Sequence, residues 1–454
     1  MPSISFYTMG CNVNVAETEK LRAFFINKGF DVFGGTGGDY NAGGEGGAAD
    51  VIVINSCAVT SVAEKGALQL LHRLRAKNWR AVIALVGCVG EMLISKKKWI
   101  PPDGLNILIG CNKSILYDMV MYYLEKRVKY TTGVEGTRLG DKATDENVIS
   151  STEIKDIIYT NNISARSFVL VQNGCDCFCS YCVVPRLRGK PVSVPLDEIA
   201  RELEAKAAAG CKEVVLSGIN LALYKDGEHT LIDVLRAADS VTGLERIRLS
   251  SLEPGAITAE FIKALPNIRK ICPHFHISLQ SGCDATLRTM NRGYTVKDFL
   301  KMLAHLRIAL PDVSVTTDVI VGFPGESDEH FRQSCRGIVR CLFDDIHIFK
   351  FSAREGTAAA TMPDQVTEHK KTARATHLQG IKQQALYRFL HGFIWKDADV
   401  LFFNQISTGY WEGTTPHNAV VRVRSDVPLL NKIRKTRIIN VDETGSFLEG
   451  SIFE

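Results

Sequence analysis

VQNGCDCFCSYCVVP, residues 171–185, places four cysteines, Cys175, Cys177, Cys179 and Cys182, within eight residues. They follow SFVLVQN (167–173), a short apolar, β-rich run that predicts a buried strand. Cys175, Cys179 and Cys182 have C-x3-C-x2-C spacing, so one loop offers three soft ligands to one centre. Thiolates are the ligands that iron–sulfur clusters take, and three of them leave one iron of a four-iron cubane open to a small chelating molecule. Zinc is the competing reading. Zinc sites usually pair a C-x2-C knuckle with a second knuckle or a histidine pair, and none is near in sequence. For any single cysteine, a small buried hydrophobe is the bland alternative.

The pattern continues outward from that loop. EVVLSG (213–218), RIRLSS (246–251), HFHISLQ (274–280), VTTDVIVG (315–322) and DIHIFKFS (345–352) read as further strands, with helical stretches such as LDEIARELEAKAAAG (196–210) between them. Six strands with crossover helices predict a parallel barrel or partial barrel, whose sites lie at the C-terminal strand ends. Upstream, SISFYTMGC (3–11), DVIVINSC (50–57) and AVIALVGC (81–88) are strands that each end in a cysteine, separated by helical VAETEKLRAFFINKGF (15–30) and AEKGALQLLHRLRAKN (63–78). In a parallel sheet such ends share one edge, so Cys11, Cys57 and Cys88 are candidates to converge. Downstream, HKKTARATHLQGIKQQALYRFLHGF (369–393) reads as a basic helix, and DADVLFFNQ (397–405), NAVVRVRS (418–425) and KIRKTRIINVDE (432–443) read as the strands of a small β-barrel. The fold class is therefore α/β multidomain: a parallel α/β domain over 1–130, a linker over 131–160, a (β/α)6-type barrel over 161–390 and a small antiparallel β-barrel over 391–454. The glycine-rich stretch 34–48 reads as a flexible excursion, since no Lys-Ser/Thr follows as in a phosphate loop.

Composition narrows the function classes. The chain has 454 residues, 45% hydrophobic and 23% charged, and its longest apolar run is too short to cross a bilayer. The N-terminus has no secretion signal, so a cytoplasmic location is expected. Thirteen cysteines in a reducing compartment point to metal or redox chemistry rather than disulfides. A net charge of +4 neither announces nor excludes nucleic-acid binding.

The segments MGCNVNVAETE, INSCAVT, VGC, VQNGCDCFCSYCVVPRLRG, EVVLSGINLALY, RIRLSSLEP, HISLQSGCDATLRTMNRGY, TTDVIVGFPGE and HIFKFSAREGTAAA, in that order, resemble the radical S-adenosylmethionine (SAM) methylthiotransferases over nearly the whole chain. LSGINLALY, RLSSLEP and GCNVNVAETE are most similar to the MtaB-type branch, which acts on tRNA threonylcarbamoyladenosine. The resemblance implies a radical SAM barrel followed by a TRAM-like β-barrel. It implies two 4Fe-4S clusters, one held by Cys175, Cys179 and Cys182 and an auxiliary one held by Cys11, Cys57 and Cys88. It implies S-adenosyl-L-methionine as both methyl donor and source of a 5′-deoxyadenosyl radical, which takes hydrogen from C2 of an adenine next to the anticodon. Expected partners are the tRNA anticodon stem-loop and an electron donor such as flavodoxin or ferredoxin, with no membrane; the sulfur donor is not legible. The sister branches act on isopentenyladenosine in tRNA or on a ribosomal-protein aspartate. The reading outside the class is a non-catalytic, metal-containing RNA-binding protein.

Further candidates follow from strand ends. Ser217 and Gly218 stand where the superfamily makes a backbone contact to SAM; a plain turn is the alternative. Glu253 and Gln280, at the ends of the third and fourth strands, are candidates for SAM or for loop caps. Asp318 lies within the fifth strand, as a SAM ligand or a core carboxylate. Gly322 and Phe323 are candidates to pack on the SAM adenine, or form a tight turn, and Arg292 is a candidate for substrate or SAM carboxylate. For tRNA, Arg422, Arg424, Lys432, Arg434, Lys435 and Arg437 are candidate phosphate contacts and Trp411 a candidate base stacker; a solvated basic face is the alternative. Cys111, Cys211, Cys272, Cys283, Cys335 and Cys341 read as incidental thiols. Cys177 is expected to point away from the cluster.

Overall fold

The computed structural model describes residues 1–33, 49–96, 104–126 and 164–453. The glycine-rich stretch and the 131–160 linker lie outside them. The chain divides into two compact units, Met1–Asn162 with Val183–Gly189, and Ile163–Cys182 with Lys190–Glu454.

The first unit runs β1 (Ser3–Met9), α1 (Asn12–Asn27), β2 (Asp31–Phe33), β3 (Val51–Ser56), α2 (Ser61–Lys77), β4 (Val82–Gly87), α3 (Cys88–Ser95), β5 (Ile107–Leu108) and α4 (Leu116–Lys126). The sheet order is β2-β1-β3-β4-β5, with every pairing parallel. VIVINS and VIALVG are buried at every position because helices cover both faces of the sheet. Alternation divides them: Ile52, Ile54, Ile83 and Leu85 pack with Leu71 and Leu74 of α2, while Val51, Val53, Val82 and Ala84 pack with Phe25 and Val120. α1 starts three residues earlier than its apolar spacing suggests, directly after Cys11.

The second unit opens on β6 (Arg166–Asn173). The short α5 (Val184–Arg188) follows the cysteine loop but belongs to the first unit, where Val183 and Leu187 pack among Ala67, Leu71 and Val89. Then come β7 (Val192–Ser193), α6 (Leu196–Ala208), β8 (Glu213–Gly218), α7 (Leu231–Ser240), β9 (Arg246–Leu249), α8 (Ala259–Ala264), β10 (His274–His276), α9 (Asp284–Thr289), α10 (Val296–Ala309), β11 (Ser314–Val321), α11 (Asp328–Cys341), β12 (Asp345–Lys350), α12 (Ala358–Thr361) and α13 (Glu368–His391). The sheets β7-β6-β8-β9 and β10-β11-β12 are joined by parallel bridges at Ile247–Ile271 and Leu252–Ile277. The result is the expected partial barrel of six parallel strands, with β7 added antiparallel at its edge.

β13 (Asp397–Ser407), β14 (Tyr410–Thr414), β15 (Val420–Arg424), β16 (Lys432–Val441) and β17 (Leu448–Ile452) close into a barrel in the order β13-β14-β15-β17-β16. Its pairings are antiparallel except β15 with β17, which is parallel. The barrel groups with the second unit for an electrostatic reason. Buried Glu213 lies 2.6 Å from Arg166, 3.0 Å from Arg248 and 3.7 Å from Arg246. Arg246 and Arg248 spend their remaining donors on the carbonyls of Thr414, Asp399, Pro416 and Thr415 in the terminal barrel. Buried cations need such acceptors.

Candidate functional site

In the first unit, the strand-end cysteines converge. Cys11 caps α1 two residues after β1, Cys57 follows β3, and Cys88 begins α3 directly after β4. Cys57 hydrogen-bonds to both Cys11 and Cys88. The approach depends on two glycines with positive φ. A Cβ on Gly10 would stand 2.5 Å from the Cys57 Cβ, and one on Gly87 would stand 2.6 Å from Asn55 Oδ1 and 2.7 Å from Ser56 O.

A fourth thiol, read as incidental from the sequence, joins the group. Cys111 follows β5, the next strand in the sheet, and its Sγ lies 4.0 Å from Cys88 Sγ. Its position is fixed by a bond from its backbone N–H to Glu91 Oε2 (3.0 Å). It lines a cavity of about 160 Å³ with Glu17, Lys113 and Tyr117, so it is reachable where Cys57 and Cys88 are buried. Its strand-end place was a signal in principle, but a two-residue strand leaves no periodicity to read.

The surroundings of these sulfurs favour the thiolate at Cys11 and Cys88. Arg188 of α5 donates from Nε to Cys88 Sγ (3.3 Å) and from Nη1 to Glu17 Oε1 (2.8 Å), and Lys113 donates to Glu17 Oε2 (2.9 Å). Burial opposes ionisation of Glu17, and the Lys113 and Arg188 charges overcome it, holding its carboxyl below the usual range. Hydrogen bonding from Cys57, assisted by Arg188, brings the Cys11 thiol down to about 7. Cys88 is brought down by hydrogen bonds from Cys111 and Cys57 and by Arg188, while Cys57 and Cys111 are pushed up by donating to thiolate neighbours. Adjacent thiols with cations beside them are a donor set that fits an anionic iron–sulfur cluster.

In the second unit, the cysteine loop leaves β6 and is pinned by the segment after α9. Ser180 donates its N–H to Met290 O (3.1 Å) and its Oγ to Thr289 O (2.9 Å), and Asn291 Nδ2 donates to Phe178 O (3.0 Å). Phe178 takes the left-handed region (φ 47°) with its ring exposed. That turn carries the chain from Cys175 to Cys179. The residues fit a cluster: three partly exposed thiols stand on one short loop.

Cys177 does not turn away from its neighbours. Asn220 Nδ2, itself held by Gln172 through its backbone N–H (2.8 Å), lies 3.3 Å from Cys177 Sγ and 3.8 Å from Cys175 Sγ. Desolvation, with the neighbouring Cys175 and Cys179 sulfurs, pushes the Cys177 thiol up to about 12.

The other sequence candidates sort by contact. Arg292 and Glu253 pair with each other, and Arg292 Nη1 also reaches Cys179 Sγ (3.3 Å). Gly218 receives its backbone contact inside the chain, donating N–H to Ser250 Oγ (3.3 Å), and Ser217 is fully buried at the end of β8. Gln280 takes φ 67° and bridges to Val319 of β11. Gly322 makes a turn closed by its N–H to Glu326 Oε2 (2.6 Å). Phe323 is wholly buried against Tyr181 and Phe351, so its ring is packing beneath the cysteine loop rather than an open platform. Asp318 is engaged by two histidines the sequence reading did not single out, His276 (3.1 Å) and His347 (3.4 Å).

In the terminal barrel, Trp411 is core. It is 5% exposed and donates Nε1–H to Ser425 O (3.1 Å), so it is not placed to stack a base. Arg422 pairs with Glu412 (2.8 Å) and Arg437 with Asp397. Lys432 is bonded to Pro428 O (2.8 Å), and Arg424, Arg434 and Lys435 are exposed.

The comparisons with known proteins agree with this geometry. A family model described as the radical SAM superfamily matches residues 169–337, and one described as uncharacterized protein family UPF0004 matches residues 3–102. The solved radical SAM methyltransferase TsrM from Kitasatospora setae shares the fold, with a TM-score of 0.50 and 15% identity over 79% of this chain and 77% of its own. Strand order, the cysteine loop after β6 and the matched span define a radical SAM enzyme, a class that uses a 4Fe-4S cluster and SAM. The tRNA-2-methylthio-N(6)-dimethylallyladenosine synthase of Syntrophus aciditrophicus is 32% identical over 94% of this chain and 90% of its own. The threonylcarbamoyladenosine tRNA methylthiotransferase MtaB of Chlamydia pneumoniae is 34% identical over 83% and 86%. The chain belongs to the radical SAM methylthiotransferase family. Among the described residues no helix is long and apolar enough to cross a membrane.

Proposed function

We propose that this enzyme transfers a methylthio group to C2 of N6-threonylcarbamoyladenosine at position 37 of tRNA, next to the anticodon. The observation that carries the reading is the presence of two cysteine sites of different construction in one chain: Cys175, Cys179 and Cys182 on a single loop, and Cys11, Cys57 and Cys88 at three strand ends. One site suffices for radical generation. A second, open-iron site accounts for the sulfur that a methylthio product needs.

When bound, the loop cluster and SAM supply one-electron cleavage of the sulfonium and hence removal of an unactivated hydrogen. The chain's own residues do the rest. Cys175, Cys179 and Cys182 hold the loop cluster and leave one position for the SAM amino and carboxylate groups. Arg292 orients Glu253 and braces Cys179, and Tyr181 on Phe323 shields the loop's inner side from water. Cys11, Cys57 and Cys88 hold the auxiliary cluster, with Arg188 as counter-charge. Exposed Arg424, Arg434 and Lys435 contact tRNA phosphates.

Threonylcarbamoyl is favoured over dimethylallyl by the motifs LSGINLALY and RLSSLEP and by polar His276, Asp318 and His347 between the strands, which suit a substrate arm carrying a carboxylate and a hydroxyl better than a hydrocarbon. The dimethylallyl reading stays in view because relatives of both names match at similar identity. The deciding experiment is turnover of reconstituted protein with SAM, reductant and anticodon stem-loops carrying either modification, read by nucleoside mass spectrometry. Methylthio product only from the threonylcarbamoyl substrate is expected; product only from the dimethylallyl substrate overturns the assignment.

A further inference from the structure

His276, Asp318 and His347 stand on three neighbouring strands, β10, β11 and β12, with Asp318 and His347 direct register partners. One ligand atom from each lies within 4.8 Å of the other two. His276 Nε2 is 3.1 Å and His347 Nδ1 is 3.4 Å from the same oxygen, Asp318 Oδ1. The imidazole rings stack with centroids 5.0 Å apart and an angle of 26°. We infer that these three residues bind one divalent first-row metal ion.

The spacing suits an ion. Ligands about 2.1 Å from a metal stand about 3.0 Å apart in an octahedral set and about 3.4 Å apart in a tetrahedral one. One of the two histidines also has an outer hydrogen-bond partner that suits a metal-binding tautomer. His276 presents Nε2 inward and turns Nδ1 toward Thr316 Oγ1 at 2.9 Å. His347 presents Nδ1 inward, and its Nε2 lies 3.8 Å from Asp345 Oδ2, beyond hydrogen-bond reach. Ser278 Oγ stands 3.5 Å from the second Asp318 oxygen. Ligands oriented in this way are the usual outer shell of a histidine–carboxylate site.

Three protein ligands leave positions open on the metal. Val315, Val319 and Val321 pack into the hydrophobic core on one face of β11, so strand alternation puts Asp318 on the other. There, Ser278 O accepts from Arg292, the residue that braces Cys179, so two residues, Arg292 and Ser278, link the cysteine loop to Asp318. The ligand class that fits is an oxygen chelator. If the substrate is the threonylcarbamoyl nucleoside proposed above, on which this step rests, its carboxylate and hydroxyl fill the open positions.

The test titrates the reconstituted holoenzyme, freed of loosely held metal, with Mn²⁺, following loss of the free-ion electron paramagnetic resonance signal, with Zn²⁺ as competitor. One Mn²⁺ per chain is expected, displaced by Zn²⁺. His347→Ala, a half-exposed position, should weaken binding roughly tenfold or more with cluster iron unchanged. No uptake of either ion by the wild type, or unchanged uptake in His347→Ala, overturns the site. A second arm measures binding of the two modified stem-loops with and without Zn²⁺. Strengthening of the threonylcarbamoyl stem-loop alone supports the chelation step. Equal strengthening of both, or of neither, overturns that step and leaves the metal site to the first arm.

Discussion

Arg292 Nη1 donates to Cys179 Sγ over 3.3 Å while the same guanidinium pairs with Glu253, so one side chain braces both the cysteine loop and the end of the third barrel strand. Its Nε reaches Tyr294 Oη (3.0 Å) and its Nη2 reaches Ser278 O (3.3 Å), which leaves the guanidinium little freedom. Arg292→Lys keeps the charge and loses the fork. Mispositioning of this order costs about 10²-fold in rate, so 5′-deoxyadenosine formation should fall by that much with iron content retained. Chromatographic quantitation of 5′-deoxyadenosine checks it, and an unaltered rate would remove Arg292 from the positioning role.

Cys177 sits beside Cys175 but lies outside the C-x3-C-x2-C set, and it is exposed where Cys175, Cys179 and Cys182 are only partly so. Cys177→Ser should therefore keep the iron content of the wild type. Cys179→Ser should lose one cluster, about four irons per chain. Colorimetric iron determination on the two reconstituted variants separates ligand from bystander.

Arg188 is a buried cation of the first unit, held between Glu17 and Cys88. Removing one partner of a buried pair costs up to about 3–5 kcal/mol, and toward the low end here because Lys113 still faces Glu17. Arg188→Ala should lower unfolding free energy by that order, read from denaturant midpoints, and should reduce iron retained at the strand-end cysteines.

These predictions divide between what the residue order displays and what it hides. Cys57 and Cys88 were legible because VIVINS and VIALVG are unbroken apolar runs, and the chain that ends such a run must emerge at the sheet's C-terminal edge. Cys111 was hidden because β5 is two residues long. His276, Asp318 and His347 alternate correctly along their own strands, but which side chains meet depends on register between strands, and register is not written in any one of them. Arg188 lies in the quoted motif, yet nothing local says that α5 folds into the unit built by residues far upstream. Trp411 shows the opposite failure. A tryptophan among basic strands suggests an exposed stacker, whereas closing a five-strand barrel needs a large side chain inside it.

Glu213 makes the second unit acid-sensitive. Burial opposes its charge, but Arg166 and Arg248, with Arg246 adding to them, hold its carboxyl down to about 2. A folded pKa below the unfolded one gives stability that is complete above the unfolded value, near 4.3, and is lost as pH falls toward 2. The contribution is roughly 3 kcal/mol. Urea unfolding of wild type and Glu213→Gln should show the variant markedly less stable at pH 6, with the gap narrowing between pH 4 and pH 3. A gap independent of pH would mean that the network acts through packing alone.

The terminal barrel offers the last test. Arg422 and Arg437 are partly neutralised by Glu412 and Asp397, so they have less charge to give a phosphate than their place in the sequence suggests. Arg434 and Lys435 are exposed on β16, and Arg424 is exposed at the end of β15. A lysine or arginine on a phosphate contributes roughly one unit to the slope of log affinity against log salt. Changing Arg424, Arg434 and Lys435 to alanine singly should reduce that slope by roughly one each, with a uniform loss across tRNA sequences, whereas Arg422→Ala and Arg437→Ala should change it less. Filter binding over a range of salt concentrations reads the slope directly. If all five variants gave the wild-type slope, the phosphate contacts would have to lie elsewhere, with the basic helix α13 the next surface to examine.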